Sequence, residues 1–403
     1  MSPVTEEKMP SSVWVLIAAA FVIAMGFGLI APVLPLFAQD MAAEVFPDAE
    51  VTATTVVVSA FAVFRLLWAS PAGSLVSRIG EKPIYIAGVL VVSVSTALTA
   101  FAQNYWQLLI FRSAGGVGSV MFTVAAMGLL IKISPRHMRG RISALYGAMF
   151  LIGNMVGPVA GGVLAEFGIM VPFLSYAAAL LIAAVVMGVL MPSTSPGRAG
   201  AGTTLPPMTL KEALDDRAYK SNLVGLFAHG WSNFGVRVSV LPLFVTYAVS
   251  EEAWVAGAAM AVFAVGNAAA LPFSSRFADR GGRKPMIMWG ATIAGVFTVV
   301  LGISSGYFAV FLLCLLAGMG TGMFNPAAQA VVADVVGNER SAGKVIASTQ
   351  MVTDVGSIIG PMLAGLIVDS WGYAPAFLIS GLILLAGAVA WIGTPDTIHR
   401  TKD

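Results

Sequence analysis

The amino-acid sequence predicts an all-α integral membrane protein with twelve transmembrane helices, arranged as two six-helix halves. Three observations predict this class: an apolar composition, a series of apolar runs of membrane length, and an internal repeat. Hydrophobic residues make up 58% of the 403 residues and charged residues only 10%, whereas soluble domains carry about 25% charged residues. The 43 glycines and 20 methionines are typical of closely packed membrane helices.

Apolar runs separated by charged or Gly/Pro-rich breaks give the number of helices, because one bilayer span takes about 20 residues. In the first half the runs lie at about 13–38, 51–76, 84–102, 106–133, 142–165 and 172–191. In the second half they lie at about 221–248, 254–274, 285–304, 307–333, 344–368 and 373–393. The predicted domains are therefore a first half over 1–191, a linker over 192–220 with a short amphipathic helix near 209–217, and a second half over 221–403.

The distribution of Lys and Arg predicts how the bundle is oriented. Of the 22 Lys and Arg residues, Arg65, Arg112 and Arg237 lie inside apolar runs, and the others fall at the termini, in the linker or in loops on one side. Acidic residues collect in the opposite loops: Asp40, Glu44, Asp48, Glu50, Glu166, Glu251, Glu252 and Asp369. Because Lys and Arg favour cytoplasmic loops, we expect a multi-pass protein of the cell (inner, cytoplasmic) membrane with both termini in the cytoplasm.

The composition also argues against several classes of site. Cys314 is the only cysteine, so neither a disulfide framework nor a thiolate metal site is expected. The three histidines are far apart in the sequence, and no P-loop pattern occurs. No nucleophile–base pair or large soluble domain is evident either. We therefore expect no enzyme activity, no metal or other cofactor and no nucleic-acid partner; the expected partners are a small-molecule substrate and the lipid bilayer.

The two halves repeat one another in sequence. Four pairs of segments recur 202 to 207 residues apart: Leu34–Phe37 with Leu241–Phe244, Arg78–Pro83 with Arg280–Pro285, Gly116–Phe122 with Gly318–Phe324, and Gly157–Pro158 with Gly360–Pro361. Glu166 recurs as Asp369 in the same way. Two parallel six-helix repeats that hold a substrate between them near the midplane are a transporter architecture. Two self-complementary halves also predict a functional monomer.

The segment Gly73–Lys82 resembles the signature that follows the second helix in the major facilitator superfamily, G-x-L-x-D-R-x-G-R-[RK]. Ser77 stands where the family has Asp, and Glu81 stands where it has Arg. The second copy, Ser275–Lys284, keeps the acidic residue as Asp279. The resemblance covers essentially the whole chain and implies a major facilitator-like fold.

Two motifs inside the predicted helices extend this resemblance. The segment Leu108–Gly118 is similar to the family's fourth-helix arginine motif, which implies that Arg112 takes part in proton translocation. The segment Gly153–Gly162 is similar to the fifth-helix motif associated with drug:proton antiporters. The resemblance therefore implies protons as a second partner and points to export.

Two groups of motif residues are expected to control the movement of the halves. Gly153, Gly157 and Gly161 recur every fourth residue and form one smooth helix face, which is either a leak-tight seam between the halves or ordinary helix packing. The loop signatures place Arg and Lys at helix ends, either as latches between the halves or only as topology signals. The predicted gating residues are Gly73, Arg78, Gly80, Lys82, Gly153, Gly157, Pro158, Gly161, Asp279, Arg280, Gly282, Arg283 and Lys284.

A polar stripe in the seventh predicted helix indicates where a substrate binds. His229, Asn233 and Arg237 are spaced four residues apart and share one helix face. Polar side chains avoid lipid, so this face is expected either to line a substrate cavity or to bond to neighbouring helices. The full set of predicted substrate-binding residues is Met25, Arg112, His229, Trp231, Asn233, Arg237 and Asn325.

The carboxylate of Asp354 is expected near the middle of the membrane. It lies ten residues after Lys344, which is about 15 Å along a helix. Arg65 lies at a similar depth in the second helix, which neighbours the eleventh in the resembled fold. We predict an Arg65–Asp354 pair that is either a structural bridge or a switch released when Asp354 is protonated. The predicted proton-coupling residues are Arg65, Arg112, His229 and Asp354.

Together with the resemblance, these features predict a proton-coupled secondary transporter that exports small amphipathic or drug-like molecules by alternating access. The alternative is an importer or facilitator of a sugar or an organic anion with the same fold, because the membrane-embedded Arg112 and Arg237 would suit an anion.

Overall fold

The computed structural model describes residues 9–134, 138–192, 208–336 and 343–397. Within these ranges the chain forms helices joined by short loops, without strands. The first half contains α1 (Ser11–Ile30, continuing as Val33–Val45), α2 (Glu50–Leu67, continuing as Ala69–Ile79), α3 (Glu81–Ala100), α4 (Tyr105–Ile133), α5 (Arg139–Ala165) and α6 (Val171–Leu190). The second half contains α7 (Arg217–Gly230, continuing as Trp231–Val240 and Leu241–Ala248), α8 (Ala253–Gly281), α9 (Arg283–Leu301), α10 (Tyr307–Val336), α11 (Gly343–Trp371) and α12 (Tyr373–Val389).

The lengths of these helices match a membrane protein. In the described part of the chain, ten helices are long and apolar enough to cross a membrane. The other two are α12, with 17 residues, and α7, which is divided into three consecutive segments. Large apolar side chains cover the outer surface; Val189, Ile303 and Phe308 are 76%, 77% and 81% exposed, as side chains that face lipid should be. The all-helical membrane fold predicted from the sequence is confirmed.

Prolines account for the interruptions in α1 and α2. Pro32 lies at the break in α1, and Pro71 follows the break at Trp68 in α2. A proline has no N–H to donate to the carbonyl four residues earlier, so the helical hydrogen-bond ladder is broken at that carbonyl.

The middle of α7 differs from the expected α-helix. Trp231–Val240 forms a π-helix, whose backbone bonds span five residues instead of four. Pro242 follows this segment and leaves the Val238 carbonyl without its α-helical donor. The Ser239 hydroxyl donates to the Phe234 carbonyl, five residues earlier. The turns that carry the predicted polar stripe are therefore wider than α-helical spacing assumes.

The described end of the linker forms the short amphipathic helix that the sequence predicts. This helix, Leu210–Asp215, begins with a capping box in which Thr209 and Glu212 bond to each other's backbone N–H groups. Asp216 then caps α7 by accepting from the N–H of Ala218 at 2.8 Å. As a result α7 begins at Arg217, before the predicted start near residue 221. The rest of the predicted linker, 193–207, lies outside the described residues.

The two halves pack together along two helix pairs, α2 with α11 and α5 with α8. The end of α1 also contacts the end of α7. Because each half has an even number of spans, each half begins and ends on the same side of the bundle. We call the side that carries the start of α1 the terminal side and the opposite side the distal side. The paired helices bring residues of both halves together in the centre of the bundle.

Candidate substrate site and gates

The carboxylate of Asp369 joins the two halves at their distal ends. Its oxygens accept hydrogen bonds from the N–H of Val51 at 3.1 Å, the N–H of Thr52 at 2.7 Å and the hydroxyl of Thr52 at 2.6 Å. The acceptor is at the end of α11 and the donors are in the first turn of α2. A helix N-terminus has free N–H groups and a partial positive charge, so it is well suited to bind a carboxylate.

A second inter-half bond lies deeper, where the Ser59 hydroxyl donates to the Ile358 carbonyl at 3.0 Å. Ser59 is seven residues after Thr52, about 10 Å further along α2. Between described residues, the hydrogen bonds that cross from one half to the other are those of Asp369 and Ser59. The structure therefore represents a state in which the distal ends of the halves are held together.

Two glycines allow the halves to approach each other closely near their distal ends. A Cβ atom on Gly162 of α5 would lie 2.7 Å from the Trp254 Cα of α8. A Cβ atom on Gly365 of α11 would lie 2.8 Å from the Thr52 Cα of α2. Gly365 and Gly162 are 203 residues apart, so the repeat extends to the contact between the halves. Any side chain at these positions would separate the helices.

The glycine face predicted from the four-residue spacing serves a different contact. Gly153, Gly157 and Gly161 all face α1 of the same half, and a Cβ on Gly161 would lie 2.1 Å from the Leu29 carbonyl oxygen. The interpretation of this face as the seam between the halves is not what the structure shows; it is helix packing within the first half. Pro158 instead contacts Gly257 of α8 with its carbonyl and belongs to the seam.

A small apolar pocket, with a volume of about 10 Å³, lies between the halves. Its lining includes Phe27, Phe61, Arg112, Phe234 and Val238, from α1, α2, α4 and α7. The ring of Phe27 lies 6.1 Å from that of Phe61 and 6.4 Å from that of Phe234. The Cζ atom of Arg112 lies 4.8 Å from the centre of the Phe61 ring. This pocket combines aromatic walls with one buried positive charge, and both halves contribute to it.

The polar stripe of α7 points to surroundings inside the second half. His229 stacks on Phe324 at 5.7 Å and lines a small pocket enclosed by helices of that half. The Cζ atom of Arg237 lies 5.1 Å from the centre of the Phe263 ring. Asn233 is half-buried. Thus the stripe lies beside the inter-half pocket, which receives Phe234 and Val238 from the same helix.

The other predicted substrate residues are more scattered. Trp231 is 4% exposed and its indole N–H donates to the Ser380 hydroxyl at 2.9 Å, so it packs against α12 rather than facing the inter-half pocket. Met25 is half-buried, and its backbone lies against the glycine face of α5. Asn325 is half-buried in α10. The structure does not bring these three side chains together.

Arg65 and Asp354 lie on the helix pair α2–α11 but do not form an ion pair. The Arg65 guanidinium donates to the hydroxyls of Ser119 at 2.8 Å and Thr123 at 3.5 Å. The Asp354 carboxylate accepts from the Gln350 amide at 2.8 Å. The two charges still interact electrostatically across the interface. In this state each group has polar partners in its own half, and the predicted direct bridge is not made.

Each half has an ion pair at its terminal end, and the acidic and basic residues of the two pairs stand at exchanged positions. In the first half Glu81 of α3 pairs with Lys132 of α4 at 2.7 Å. In the second half Arg283 of α9 pairs with Asp334 of α10 at 3.2 Å. Both positions recur 202 residues later, so the acid and the base have exchanged places. Glu81, which departs from the family signature, is thus matched by a basic residue at the facing position.

The lysines of the two loop signatures also act within their own halves. Lys82 donates to the Met191 carbonyl at the end of α6, and Lys284 donates to the Thr394 carbonyl after α12 at 2.9 Å. The Asp396 carboxylate caps α9 by accepting from the Lys284 N–H at 3.1 Å. In this state these signature residues hold together helices of one half rather than latching the two halves.

The glycines of the loop signatures form the turns between helices. Gly80 and Gly282 have φ of 102° and 106°, a backbone conformation that only glycine adopts without strain. Arg78 is exposed, and Gly73 has open space beside it. The predicted latch residues Asp279 and Arg280 have side chains outside the described part of the structure.

Several residues of the pocket and of the contacts around it were not predicted from the sequence. They are Thr52, Phe61, Gly162, Phe263, Gly365 and, as a gate, Asp369. The recurrence of Glu166 as Asp369 was the signal available for the distal gate. The aromatic side chains carry no comparable signal, because phenylalanine is equally suited to packing against lipid or another helix.

The comparisons agree with the fold and with the repeat. The family model described as Major Facilitator Superfamily matches residues 16–254 and 223–403. Among solved structures, the chain resembles a bacterial homologue of the human lysosomal transporter Spinster in an inward-facing, unoccupied conformation. That match has a TM-score of 0.74 and 16% identity and covers 98% of both chains. It supports the fold.

The sequence relatives include drug-resistance proteins. The chain is 26% identical over 401 residues to the quinolone resistance protein NorA of Staphylococcus aureus (strain MRSA252), covering 98% of both proteins. It is 25% identical to multidrug resistance protein 2 of Bacillus subtilis (strain 168), covering 93% of this chain and 92% of the relative. The similarity therefore extends from end to end in both cases.

Proposed function

The chain belongs to the Major Facilitator Superfamily of membrane transporters, and on this basis we propose that it exports small amphipathic or drug-like molecules in exchange for protons. The observation that carries the proposal is the end-to-end similarity to proteins of quinolone and multidrug resistance. The aromatic pocket between the halves supports it, because apolar walls with a few polar groups suit ligands of this kind.

The proposed orientation places the terminal side in the cytoplasm of the cell membrane. The concentration of Lys and Arg in the loops of that side supports this orientation. The distal ends of the halves are joined through Asp369, so the described state would admit a ligand from the cytoplasm. Loading from the cytoplasm is the first step of export. A single chain supplies both halves of the pocket, which supports a functional monomer.

The proposed substrate site is the pocket between the halves. Phe27, Phe61 and Phe234 provide its apolar surface, and Arg112 provides a charge. Asn233 and Arg237, on the same helix as Phe234, would contact the polar part of a ligand. We keep His229 as a second-half residue near this site rather than part of its wall.

We propose Asp354 as the proton-coupling group. Within the described helices it is the carboxylate that lies furthest from any helix end, and a coupling group must reach both sides alternately. Its electrostatic interaction with Arg65 links protonation to the α2–α11 interface between the halves. Neutralising Asp354 would change that interaction and so favour one arrangement of the halves over the other. His229 is the alternative proton carrier, because the unperturbed pKa of imidazole suits the task.

Susceptibility profiling tests the export function. Deletion of the gene should lower, and overexpression raise, the concentration of several amphipathic compounds needed to stop growth. Asn233→Leu should alter the range of compounds while the amount of protein in the membrane stays unchanged. Identical profiles for the deletion, wild-type and overexpression strains across diverse compounds would contradict the proposal.

Reconstituted vesicles with an imposed pH gradient test the coupling group. Asp354→Asn should abolish gradient-driven transport while counterflow exchange of the same compound continues, and Glu166→Gln, at an exposed loop, should behave like the wild type. Gradient-driven transport that persists at the wild-type rate in Asp354→Asn would eliminate Asp354. Loss of coupling in His229→Gln would then identify the imidazole as the carrier.

A further inference from the structure

The charges buried deep in the described membrane helices are mostly positive. Arg65, Arg112 and Arg237 lie well inside their helices, whereas Asp354 is the carboxylate placed at comparable depth. Arg65 is satisfied by two hydroxyl groups. The other two arginines have neither a hydrogen bond nor an ion pair with any described residue, and the Nε atom of each is buried without a partner.

An arginine in this position requires a partner. Its guanidinium stays protonated in proteins and offers five N–H donors, and a charge inside a membrane protein is costly unless it faces another charge, a cavity or water. The two rings that these arginines cover provide a weak attraction but no hydrogen-bond acceptor. What the described protein does not supply is an anion.

The two arginines lie over repeat-related phenylalanines, although they come from helices that are not related by the repeat. Arg112 lies over Phe61, and Arg237 lies over Phe263, which is the repeat position of Phe61, 202 residues later. The repeat position of Arg112 itself is Cys314, which is buried, so α10 carries no cation there. In the second half the cation comes from α7 instead. Each half thus has an arginine over the repeat-related phenylalanine. The arginine is provided by α4 in the first half and by α7 in the second.

We infer that the central site selects amphipathic molecules that carry an anionic group such as a carboxylate, bound by Arg112 in the pocket wall and by Arg237 from beside the pocket, while the rings of Phe27, Phe61 and Phe234 hold the apolar part. Arg112 lines the pocket directly. Arg237 lies three residues after Phe234 on α7, over the Phe263 ring beside the pocket. The inference rests on the proposed export function and specifies its substrate class.

Matched probes that share one apolar body separate charge from hydrophobicity. We choose 1-naphthylacetate, the neutral 1-naphthylacetamide and the cationic 1-naphthylmethylammonium. Equilibrium dialysis against the full-length protein in phosphatidylcholine nanodiscs gives the three dissociation constants, and empty nanodiscs correct for partition into lipid. Because a hydrogen bond to a charged group contributes about 1.5–3 kcal/mol, the wild type should bind the acid about tenfold or more tightly than the amide, and the ammonium most weakly.

Substitutions assign this preference to the arginines. Arg237→Gln and Arg112→Gln should each weaken binding of the acid about fivefold or more and change binding of the amide less than twofold. Arg237→Glu should favour the ammonium over the acid. The matched control is Arg276→Gln, an exposed arginine in α8, which should leave all three constants unchanged. Equal binding of acid and amide, tighter binding of the ammonium, or an unchanged preference in both glutamine variants would overturn the inference.

Transport by the same purified protein in proteoliposomes distinguishes this inference from the proposed function. If proteoliposomes extrude a cationic dye under a pH gradient but the acid does not bind, the inference is wrong and export stands. If the acid binds in an arginine-dependent way but no compound is transported under any gradient, the inference stands and the proposed function is wrong.

Discussion

The bond network of Asp369 is expected to determine how firmly the distal side is closed. One carboxylate at the end of α11 accepts three hydrogen bonds from Val51 and Thr52 in the first turn of α2. These bonds can exist only while the distal ends of the halves are together. Asp369→Ala removes all three, and Asp369→Asn removes the negative charge that interacts with the helix N-terminus.

The size of the effect follows from the number and type of these bonds. A hydrogen bond to a charged group contributes about 1.5–3 kcal/mol, but Asp369 is only half-buried, so water replaces part of that stabilisation when the bonds are lost. We therefore expect Asp369→Ala to destabilise the distal-closed state by about 2–4 kcal/mol, a shift of roughly 30- to 1,000-fold in the equilibrium. Thr52→Val removes one bond and should shift it by about 1 kcal/mol, or fivefold.

Distance measurements between spin labels report this equilibrium directly. With Cys314 replaced by Ala, labels attached through Asp48→Cys and Glu251→Cys, both in exposed distal loops, measure the opening of the distal side in nanodiscs. Labels at Ser77→Cys and Arg276→Cys, both exposed near the terminal side, measure the opposite opening. Asp369→Ala should lengthen the distal distances and shorten the terminal ones.

The repeat supplies the matched control for this experiment. Glu166 occupies the corresponding position in the first half but is exposed and makes no bond to α8, so Glu166→Ala should leave both distance distributions as in the wild type. If Asp369→Ala also leaves them unchanged, or if Glu166→Ala shifts them equally, Asp369 does not act as a distal gate.

Three further predictions concern contacts within the halves. Glu81→Lys should lower the free energy of unfolding by about 2–3 kcal/mol by placing two cations together, and adding Lys132→Glu should recover at least half of the loss. Thermal unfolding of the detergent-solubilised variants measures both effects, and no recovery in the double variant would contradict the pairing. Gly161→Ala should lower the apparent melting temperature by about 5 °C, because its Cβ would meet the Leu29 backbone, whereas Gly147→Ala on the same helix has open space and should be neutral; equal effects would show that the α1–α5 contact is not tight. Trp231→Phe and Ser380→Ala should each cost about 1 kcal/mol of stability and leave unchanged the set of compounds to which cells are resistant. A changed set in Trp231→Phe alone would indicate that the indole contacts the substrate.

The helices and their order were predictable because their causes are local. Membrane-length apolar runs and the prolines that interrupt them can be read directly from the sequence, and the repeat identified the corresponding parts of the two halves. The start of α7 was missed by a few residues, because Asp216 caps the helix inside a stretch whose composition is typical of a linker.

The partners of each helix face could not be predicted in the same way. Gly161 and Gly162 are adjacent in sequence, yet successive residues of a helix point about 100° apart. One therefore faces α1 in its own half and the other faces α8 across the interface. Spacing identifies a smooth face but does not say which neighbouring helix fills it. For the same reason the sequence placed Arg65 and Asp354 on the right pair of helices but could not show that each bonds to hydroxyl or amide groups instead of to the other.

We propose that this protein moves amphipathic molecules away from the terminal side in exchange for protons. The most direct measurement uses purified protein in proteoliposomes, with a fluorescent amphipathic compound to follow transport and a trapped pH indicator to follow protons. An imposed pH gradient should drive the compound against its own concentration gradient, with protons moving in the opposite direction, and both movements should stop when the gradient is collapsed. Transport of the compound at the same rate with and without the gradient, or with no accompanying proton movement, would contradict proton-coupled export.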